Sequence, residues 1–411
     1  MQFSELIHNK SILKAIKEER FQRPTSVQEK AIPVILEKKN VIVSAQTGTG
    51  KTAAFALPII QLLIDKQDAE KNEKRIKALV ITPTRELAIQ IEENFKNFTK
   101  YTNLRTTAVY GGVSLEPQKD VLKKGIDFLI ATPGRLIDLQ KQGAIELSHL
   151  EIFVLDEADL MLDMGFINDV KKIEKLCPSK KQTLLFSATM PEKIVELANS
   201  TLKNPVKIEI HPEETTGKNI GQLVYKLPKK NKTDLCLHLL RNTINGRIII
   251  FRRTKFGVDK LEQTLTKNNY NVFSIHGDKT QIVRNKAIEN FKNQKNSILI
   301  ATDVAARGID ITNVDAIINF DIPNIPETYV HRIGRTGRAG KSGIAISFCS
   351  PDEDGYLLKI EAIIEKSIKQ ITDHPYPLIK PKKVKVQPNT VSKHKKGRKS
   401  AASKKKKKRW Y

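Results

Sequence analysis

The residues of this chain with the most chemistry in them lie at the ends of two apolar runs. Asn40-Val-Ile-Val-Ser-Ala45 opens into Gln46-Thr47-Gly48-Thr49-Gly50-Lys51-Thr52 before a helical pattern begins. Gly48 and Gly50 let backbone N–H groups approach phosphate oxygens, and the following helix aims its positive end at the same charge. Lys51 then reaches the β and γ phosphates of a nucleoside triphosphate, and the Thr52 hydroxyl ligates Mg2+. Ala45 stands where the common form of this pattern has its first glycine; the position after a strand and before a helix keeps the reading. The second run, Glu151-Ile-Phe-Val-Leu-Asp156-Glu157-Ala158-Asp159, ends abruptly in three carboxylates. Carboxylates at the carboxyl end of a strand, where an open α/β sheet places its ligand crevice, need a cation. Asp156 is assigned to the Mg2+ and Glu157 to polarising the water that attacks the γ phosphate.

These groups need a scaffold, and the chain supplies one twice. Short β-branched runs at Val41–Ala45, Ala78–Thr82, Thr106–Tyr110, Asp127–Ala131, Ile152–Leu155 and Thr183–Ser187 alternate with helical stretches. Their continuous apolar character predicts strands covered on both faces, hence a parallel sheet with crossover helices. After the polar segment His211–Asn219 the pattern restarts, with runs at Leu223–Leu227, Arg247–Phe251, Val272–Ile275, Ile298–Ala301, Ala316–Asn319 and Ile344–Phe348. The length of 411 residues suits two α/β domains, each with its own core. Only the first carries a phosphate loop. The glycine-containing segment of the second, His331-Arg332-Ile-Gly334-Arg335-Thr-Gly337-Arg338, has arginines in place of the cradle lysine.

Charge points to the partner. Lys plus Arg total 71 against 45 for Asp plus Glu, a net charge of +26 that suits a polyanion. From Lys380 to Tyr411 there are 15 Lys or Arg and no Asp or Glu, so the tail holds more than half of that excess. Beyond about Ile371 the composition is too polar for a core and predicts disorder. The three cysteines are scattered without a C-x-x-C pair, which argues against a disulfide framework or zinc site. No basic and apolar leader opens the chain, and no run approaches the ~18 apolar residues of a membrane span. A cytoplasmic, membrane-free protein is expected.

With these residues in view, Asp156-Glu157-Ala158-Asp159 together with Ala45 to Thr52 resembles the DEAD-box family of ATP-dependent RNA helicases. The likeness runs in order over roughly residues 3 to 350: Pro83-Thr-Arg85-Glu86-Leu, Gly111-Gly112, Thr132-Pro133-Gly134-Arg135, Ser187-Ala-Thr189, Ala301-Thr302-Asp303 to Asp310, and His331 to Arg338. Tyr110-Gly-Gly-Val-Ser114 and Met161-Leu-Asp-Met-Gly-Phe166 look most similar to the bacterial RhlE-like branch. The resemblance implies two tandem RecA-like doubly wound parallel-sheet domains followed by a disordered basic tail. The divisions read as 1–29 (Q-motif region), 30–210 (first domain), 211–220 (linker), 221–371 (second domain) and 372–411 (tail).

The resemblance also assigns roles. Phe21-Gln-Arg23-Pro-Thr-Ser-Val-Gln28 is similar to the family's Q motif, implying adenine selection: Gln28 can give and accept a hydrogen bond at the base edge, and Phe21 can stack on it. Nucleotide contacts extend through Arg23, the whole cradle from Ala45 to Thr52, Gly308 and Asp310, the last at the ribose. Arg335 and Arg338 become arginine fingers, each worth about 10³ to 10⁵ in rate, so that hydrolysis requires the two domains to close. Asp159, Ser187, Thr189 and His331 couple the nucleotide site to the rest. RNA contacts carry over to Thr84, Arg85, Gly112, Thr132, Gly134, Arg135, Arg284 and Thr302, where small residues beside arginine suit sugar and phosphate rather than base edges. Leu160 and the pair Arg252-Arg253 depart from the family pattern. The function implied is an RNA-stimulated ATPase that locally unwinds short duplexes or remodels RNA–protein complexes without sequence preference. Two other readings fit the same motifs: an ATP-gated clamp or scaffold among ribosome-assembly or RNA-decay proteins, and a DNA helicase.

Overall fold

The computed structural model describes residues 1–46, 48–67, 75–210, 220–306, 311, 314–337 and 342–378. Thr47, Gly308, Asp310, Arg338, the segment 211–219 and the tail from 379 lie outside the described residues.

Seven strands, β1 (Val41–Ser44), β2 (Ala78–Ile81), β3 (Thr106–Val109), β4 (Phe128–Ala131), β5 (Ile152–Leu155), β6 (Gln182–Ser187) and β7 (Val206–Glu209), form one sheet in the order β3-β4-β2-β5-β6-β1-β7. Every pairing is parallel. Alternate side chains of each run feed two separate cores. Val41, Val43, Ala78, Val80, Ile152 and Val154 enter one, with Phe55, Phe95, Phe128 and Phe186 as its bulk. Ile42, Leu79, Ile81, Phe153 and Leu155 enter the other. A strand apolar at every position is therefore what a sheet covered on both faces requires.

The second sheet repeats the first. β8 (Ile220–Lys226), β9 (Arg247–Arg252), β10 (Val272–Ile275), β11 (Ser297–Thr302), β12 (Ala316–Asn319), β13 (Gly343–Cys349) and β14 (Lys369–Ile371) run in the order β10-β11-β9-β12-β13-β8-β14. Adding seven to each label of the first sheet gives the second. The expected α/β class with two doubly wound parallel sheets is what the chain forms.

Two strands escape the sequence pattern. β7 and β14 each pair with a single neighbour, β1 and β8, at the sheet edge. Val206-Lys-Ile-Glu buries only Ile208, and Lys369-Gln-Ile buries no residue fully. An edge strand wet on one side lacks the continuous apolar run that marks a central strand. Ile220, placed with the linker on sequence alone, already opens β8.

The second domain also buries charge. Lys232, 2% exposed, donates to the Phe320 carbonyl at 2.8 Å and to Glu353 Oε2 at 2.6 Å. Glu353 accepts from Ser350 Oγ and the Ile322 amide, and lies 3.1 Å from Arg253. Asp321 joins through Arg252 Nε at 3.0 Å, and the Arg252 guanidinium stands 4.1 Å over the Phe320 ring. The excess charge of Arg252-Arg253 is thus absorbed by two carboxylates of its own domain. Removing one member of such a pair strands the other. Lys232→Ala should destabilise the second domain by about 3–5 kcal/mol, and adding Glu353→Gln should recover part of that loss; urea unfolding of the single and double variants checks both.

Candidate functional site

The strand order brings the two chemical runs together. β6 lies between β1 and β5, pairing Ser44 with Ser187 on one side and Leu155 with Leu185 on the other. The cradle after β1 and the carboxylates after β5 therefore face each other across the end of β6. Lys51, first residue of the Lys51–Gln67 helix and 6% exposed, puts its Nζ 2.8 Å from Glu157 Oε1. Burial alone would lower the Lys51 pKa, but the charges of Glu157 and Asp156 outweigh it and hold it above the usual lysine value. Asp156 is 3% exposed, and its Oδ1 has no hydrogen-bond partner. Burial, then the charge of Glu157, push the Asp156 carboxyl up to about 7 against the pull of Lys51.

Glu157 has φ 53° and ψ 53°, a left-handed conformation rare for a residue with a side chain. Such a turn costs about 1–3 kcal/mol and persists where surrounding structure enforces it. Here it starts the Ala158–Asp163 helix and turns the carboxylate toward Lys51.

Asp159 is tied into the loop after β6. Thr189 donates to Asp159 Oδ2 twice, from its amide at 2.9 Å and from its hydroxyl at 3.0 Å. Ser187 Oγ accepts from the Asp159 amide at 3.1 Å and donates to the Thr189 carbonyl at 2.7 Å. Three of the four residues assigned to coupling therefore form one closed knot. His331, the fourth, is half-buried in the Pro326–Ile333 helix of the second domain.

The Q-like segment reaches the cradle by its backbone. Thr25 Oγ1 donates to the Thr49 carbonyl at 2.8 Å, and Gln28 Nε2 donates to the Gly50 carbonyl at 3.1 Å. Gln28 Oε1 accepts from the Thr25 amide at 3.0 Å, so both ends of this amide are engaged within the protein. Gly50 has φ +91°, and a Cβ there would collide with Gln28 Nε2. Phe21 is 37% exposed, with its ring against Phe3 and Phe98 at 6.2 and 5.9 Å between centroids. Its remaining surface is open to a flat partner. Arg23 is exposed.

No cluster of three or more His, Cys, Asp or Glu among the described residues is placed to hold a metal. Mg2+ does not need one, since it binds through one or two carboxylates together with substrate phosphates. A buried Asp156 oxygen with no hydrogen-bond partner fits that mode.

From the second domain, Arg335 lies half-buried just past the Pro326–Ile333 helix. Sequence reasoning passed over its neighbour Arg332, which is 2% exposed and grips Asp303 with two bonds of 2.6 and 2.8 Å. Arg332 also donates to Asn319 Oδ1 and the Asp321 carbonyl, joining the strand ends of β11 and β12 to the arginine loop. Its place beside the two candidate fingers hid its structural task.

A cleft of about 320 Å³ opens between the domains. Thr84, Arg85, Thr132, Gly134 and Arg135 line one side, and Arg284 with Gly277, Val304 and Ala305 the other. Thr84 and Thr132 are the N-caps of the Arg85–Phe98 and Pro133–Lys141 helices, whose positive ends thus face the cleft. Gly112 is not in the lining; it has φ +77°, and a Cβ there would collide with the Arg85 guanidinium, so its bareness seats that group. Thr302 ends β11 two residues before Val304 and is also outside the lining. Sequence reasoning missed what joins the two sides. Glu86 Oε1 accepts from Gln281 Nε2 at 2.9 Å and lies 2.8 Å from Arg284 Nη2, across a sequence gap of 195 positions for the first pair. Burial lowers the Arg284 pKa, Glu86 works to raise it, and Arg85 adds to the lowering.

Two doubly wound sheets of identical strand order, one with a phosphate cradle and strand-end carboxylates, define a two-domain nucleotide-driven machine of the tandem RecA-like kind. The DEAD/DEAH box helicase model matches residues 25–197, and the helicase conserved C-terminal domain model matches residues 231–340. The DEAD-box ATP-dependent RNA helicase RhpA of Helicobacter pylori is 45% identical over 367 residues, 89% of this chain and 73% of that protein. The ATP-dependent RNA helicase CshA of Listeria monocytogenes is 45% identical over 369 residues, 90% of this chain and 70% of that one. Among solved structures, S. cerevisiae Dbp5 bound to RNA and ADP BeF3 superposes with a TM-score of 0.80 at 31% identity, over 90% of this chain and 95% of that one. Mss116p bound to ssRNA and AMP-PNP gives 0.81 at 32% identity, over 89% and 77%. The chain belongs to the DEAD-box family of ATP-dependent RNA helicases.

Two outcomes follow from this geometry. A carboxyl whose folded pKa is raised binds its proton more tightly folded than unfolded, so its contribution to stability is lost as pH rises from about 4 towards 7. Asp156→Asn should therefore raise the melting temperature at pH above 7, by roughly 2–4 °C per kcal/mol recovered, while ATP turnover is lost; calorimetry beside an ATPase assay reads both. Gly112→Ala should displace Arg85, weakening RNA binding about tenfold, a loss of ~1.4 kcal/mol, with nucleotide affinity unchanged, as measured by fluorescence anisotropy and nucleotide titration.

Proposed function

We propose that this helicase is an RNA-stimulated ATPase that locally opens short duplexes or remodels RNA–protein complexes through backbone contacts. The observation that carries the reading is the bonded knot of Asp159, Ser187 and Thr189 beside the buried Lys51–Glu157 pair. A change in the loop after β6 cannot leave the catalytic carboxylates untouched when its residues are bonded to the same four-residue turn. In this reading Lys51 binds the β and γ phosphates, Glu157 orients the attacking water, and Asp156 with Thr52 holds Mg2+. The metal supplies charge neutralisation on the phosphates. Phe21 stacks on adenine, and Gln28, whose amide is bonded to Thr25 and Gly50 here, turns that amide to the base edge when the nucleotide binds. Arg335 and Arg338 act from the second domain as fingers, with Asp310 and Gly308 at the ribose side and His331 joining the domains.

The cleft supports RNA contact by Thr84, Arg85, Thr132, Gly134, Arg135 and Arg284, with Gly112 seating Arg85 and Thr302 adjoining it. These groups favour sugar and phosphate over base edges. The basic tail adds sequence-independent electrostatic tethering. The proposed divisions are 1–29, 30–210, 211–219, 220–371 and 372–411, with Ile220 moved from the linker into the second domain because it opens β8. Tyr110–Ser114 and Met161–Phe166 support a place in the RhlE-like branch. No described helix is long and apolar enough to cross a membrane; we assign the protein to the cytoplasm, with ribosome-assembly or RNA-decay proteins as its partner class.

Glu157→Gln should lower RNA-stimulated turnover by about 10² to 10⁴ while ATP-dependent retention of RNA persists in a filter assay. Unchanged steady-state ATPase would remove Glu157 from its role. Equal stimulation by single-stranded DNA would favour a DNA helicase instead.

A further inference from the structure

The edge of the first sheet opposite the ATP site carries a second cleft, of about 780 Å³. It lies where the strands begin: Asn40 precedes β1, Ile152 opens β5 and Gln182 opens β6. These strands are four to six residues long, which puts the cleft roughly 13–20 Å behind the catalytic groups at ~3.3 Å per residue. Five lysines, Lys38, Lys66, Lys180, Lys181 and Lys203, rim it against the single carboxylate of Glu151. Lys66 pairs with Glu151 at 2.5 Å, and Lys181 with Glu174 at 2.9 Å. Lys38, Lys180 and Lys203 have no carboxylate partner among the described residues. Three uncompensated ammonium groups around one concavity repel each other, and a polyanion entering it would relieve that repulsion and release its own counterions.

The walls are held rather than loose. Asn40 Nδ2 donates to the Lys203 carbonyl at 2.7 Å, and its Oδ1 accepts from the Thr183 amide at 2.8 Å. Gln182 Nε2 donates to the Ile35 and Lys39 carbonyls at 3.0 and 2.8 Å. The turns bearing Lys38 and Lys203 are thereby pinned to the strand beginnings. The same bonds consume amide groups that could otherwise have read base edges. What remains is the three exposed charges of Lys38, Lys180 and Lys203 on flexible stems, which suit phosphates at any spacing and carry no sequence information. The floor offers Leu62 and Ile152, too little apolar area for the buried anchors on which a protein partner would depend.

We propose that this lysine-rimmed cleft is a second, sequence-independent binding site for the phosphodiester backbone of the RNA on which the helicase acts. It would hold a segment outside the interdomain cleft, keeping the enzyme on a long or structured RNA while the cleft opens and closes. The proposal rests on RNA being the substrate of the interdomain cleft, and the test separates the two.

The full-length chain and its Lys38→Gln/Lys180→Gln/Lys203→Gln variant are compared on two RNAs, a short oligonucleotide that fills only the interdomain cleft and one several-fold longer. A control, Lys124→Gln/Lys141→Gln/Lys175→Gln, removes the same charge elsewhere on the first domain. The first variant should keep its affinity for the short RNA and its ATPase stimulation. On the long RNA its logarithmic salt slope should fall by about 2, at ~0.7 for each phosphate that is no longer neutralised, and the control should fall by clearly less. An unchanged slope, or an equal fall in the control, overturns the second site. Loss of stimulation by the short RNA in the first variant overturns it too, because the lysines would then act through the first cleft. Failure of the short RNA to stimulate the parent would instead refute the interdomain reading. Titration with polyglutamate and with inorganic phosphate separates the sources of negative charge. If the variant loses polyglutamate binding but keeps its slope on long RNA, the cleft takes an acidic protein and the proposal fails. If it loses only phosphate binding, the ligand is a free anion and the proposal fails as well.

Discussion

One lysine ammonium buried among three carboxylates sets the terms for the rest of this molecule. Lys51 satisfies Glu157 at 2.8 Å and helps Asp156 and Asp159 only from a distance. Burial first, and then the charge of Glu157, push the Asp156 carboxyl up to about 7. The site is electrostatically unfinished by construction. In the proposed function a divalent cation and a phosphate chain would complete it together, the cation answering Asp156 and the phosphates answering Lys51 and the cradle amides. Strain adds to the cost, because Glu157 is held in a left-handed turn that brings its carboxylate to the lysine. The two closely packed cores of the first domain hold that turn in place.

The second domain shows how the same strand order can be put to other chemistry. Where the first sheet ends its central strands in a cradle and carboxylates, the second ends them in an arginine network. Arg332 is spent on Asp303, Asn319 and Asp321, and it fixes the loop on which Arg335 rides. Arg252, Arg253 and Lys232 are likewise neutralised inside the domain by Asp321 and Glu353. A finger must be held rigidly if its charge is to arrive in the right place, because a loosely tethered guanidinium loses entropy each time it is ordered. Between the domains the bond is thinner. Glu86, with Gln281 and Arg284, is a small, buried polar contact in the lining of the cleft. Such a contact suits domains that must open as well as close.

The central strands were legible because each is buried on both faces and so is apolar at every position, as in Ile152-Phe-Val-Leu. β7 and β14 were not, because a strand at an edge carries lysine and glutamate or glutamine on its wet side and shows no such run. In the site, the cradle and the carboxylates were readable as short contiguous motifs whose chemistry depends on neighbours in the chain. The bond from Gln28 to Gly50 and the seating of Arg85 over Gly112 were not, since each joins segments that only folding brings together.

The amino-acid sequence by itself therefore determined the class of fold, the phosphate cradle, the three strand-end carboxylates and the basic character that calls for a polyanion. Periodicity and local motif chemistry are written along the chain, so they survive without coordinates. Tertiary structure alone decided that β6 separates the two motifs and knots Asp159 to Ser187 and Thr189, and that Arg332 supports the arginine loop. It also decided that Glu86 meets Gln281 and Arg284, and that lysines as far apart in sequence as Lys38 and Lys203 rim one cleft. Except for the Glu86 contact, which joins the two domains, each of these depends on which strands lie side by side. That order is set by the packing of two whole cores, a property of no single segment.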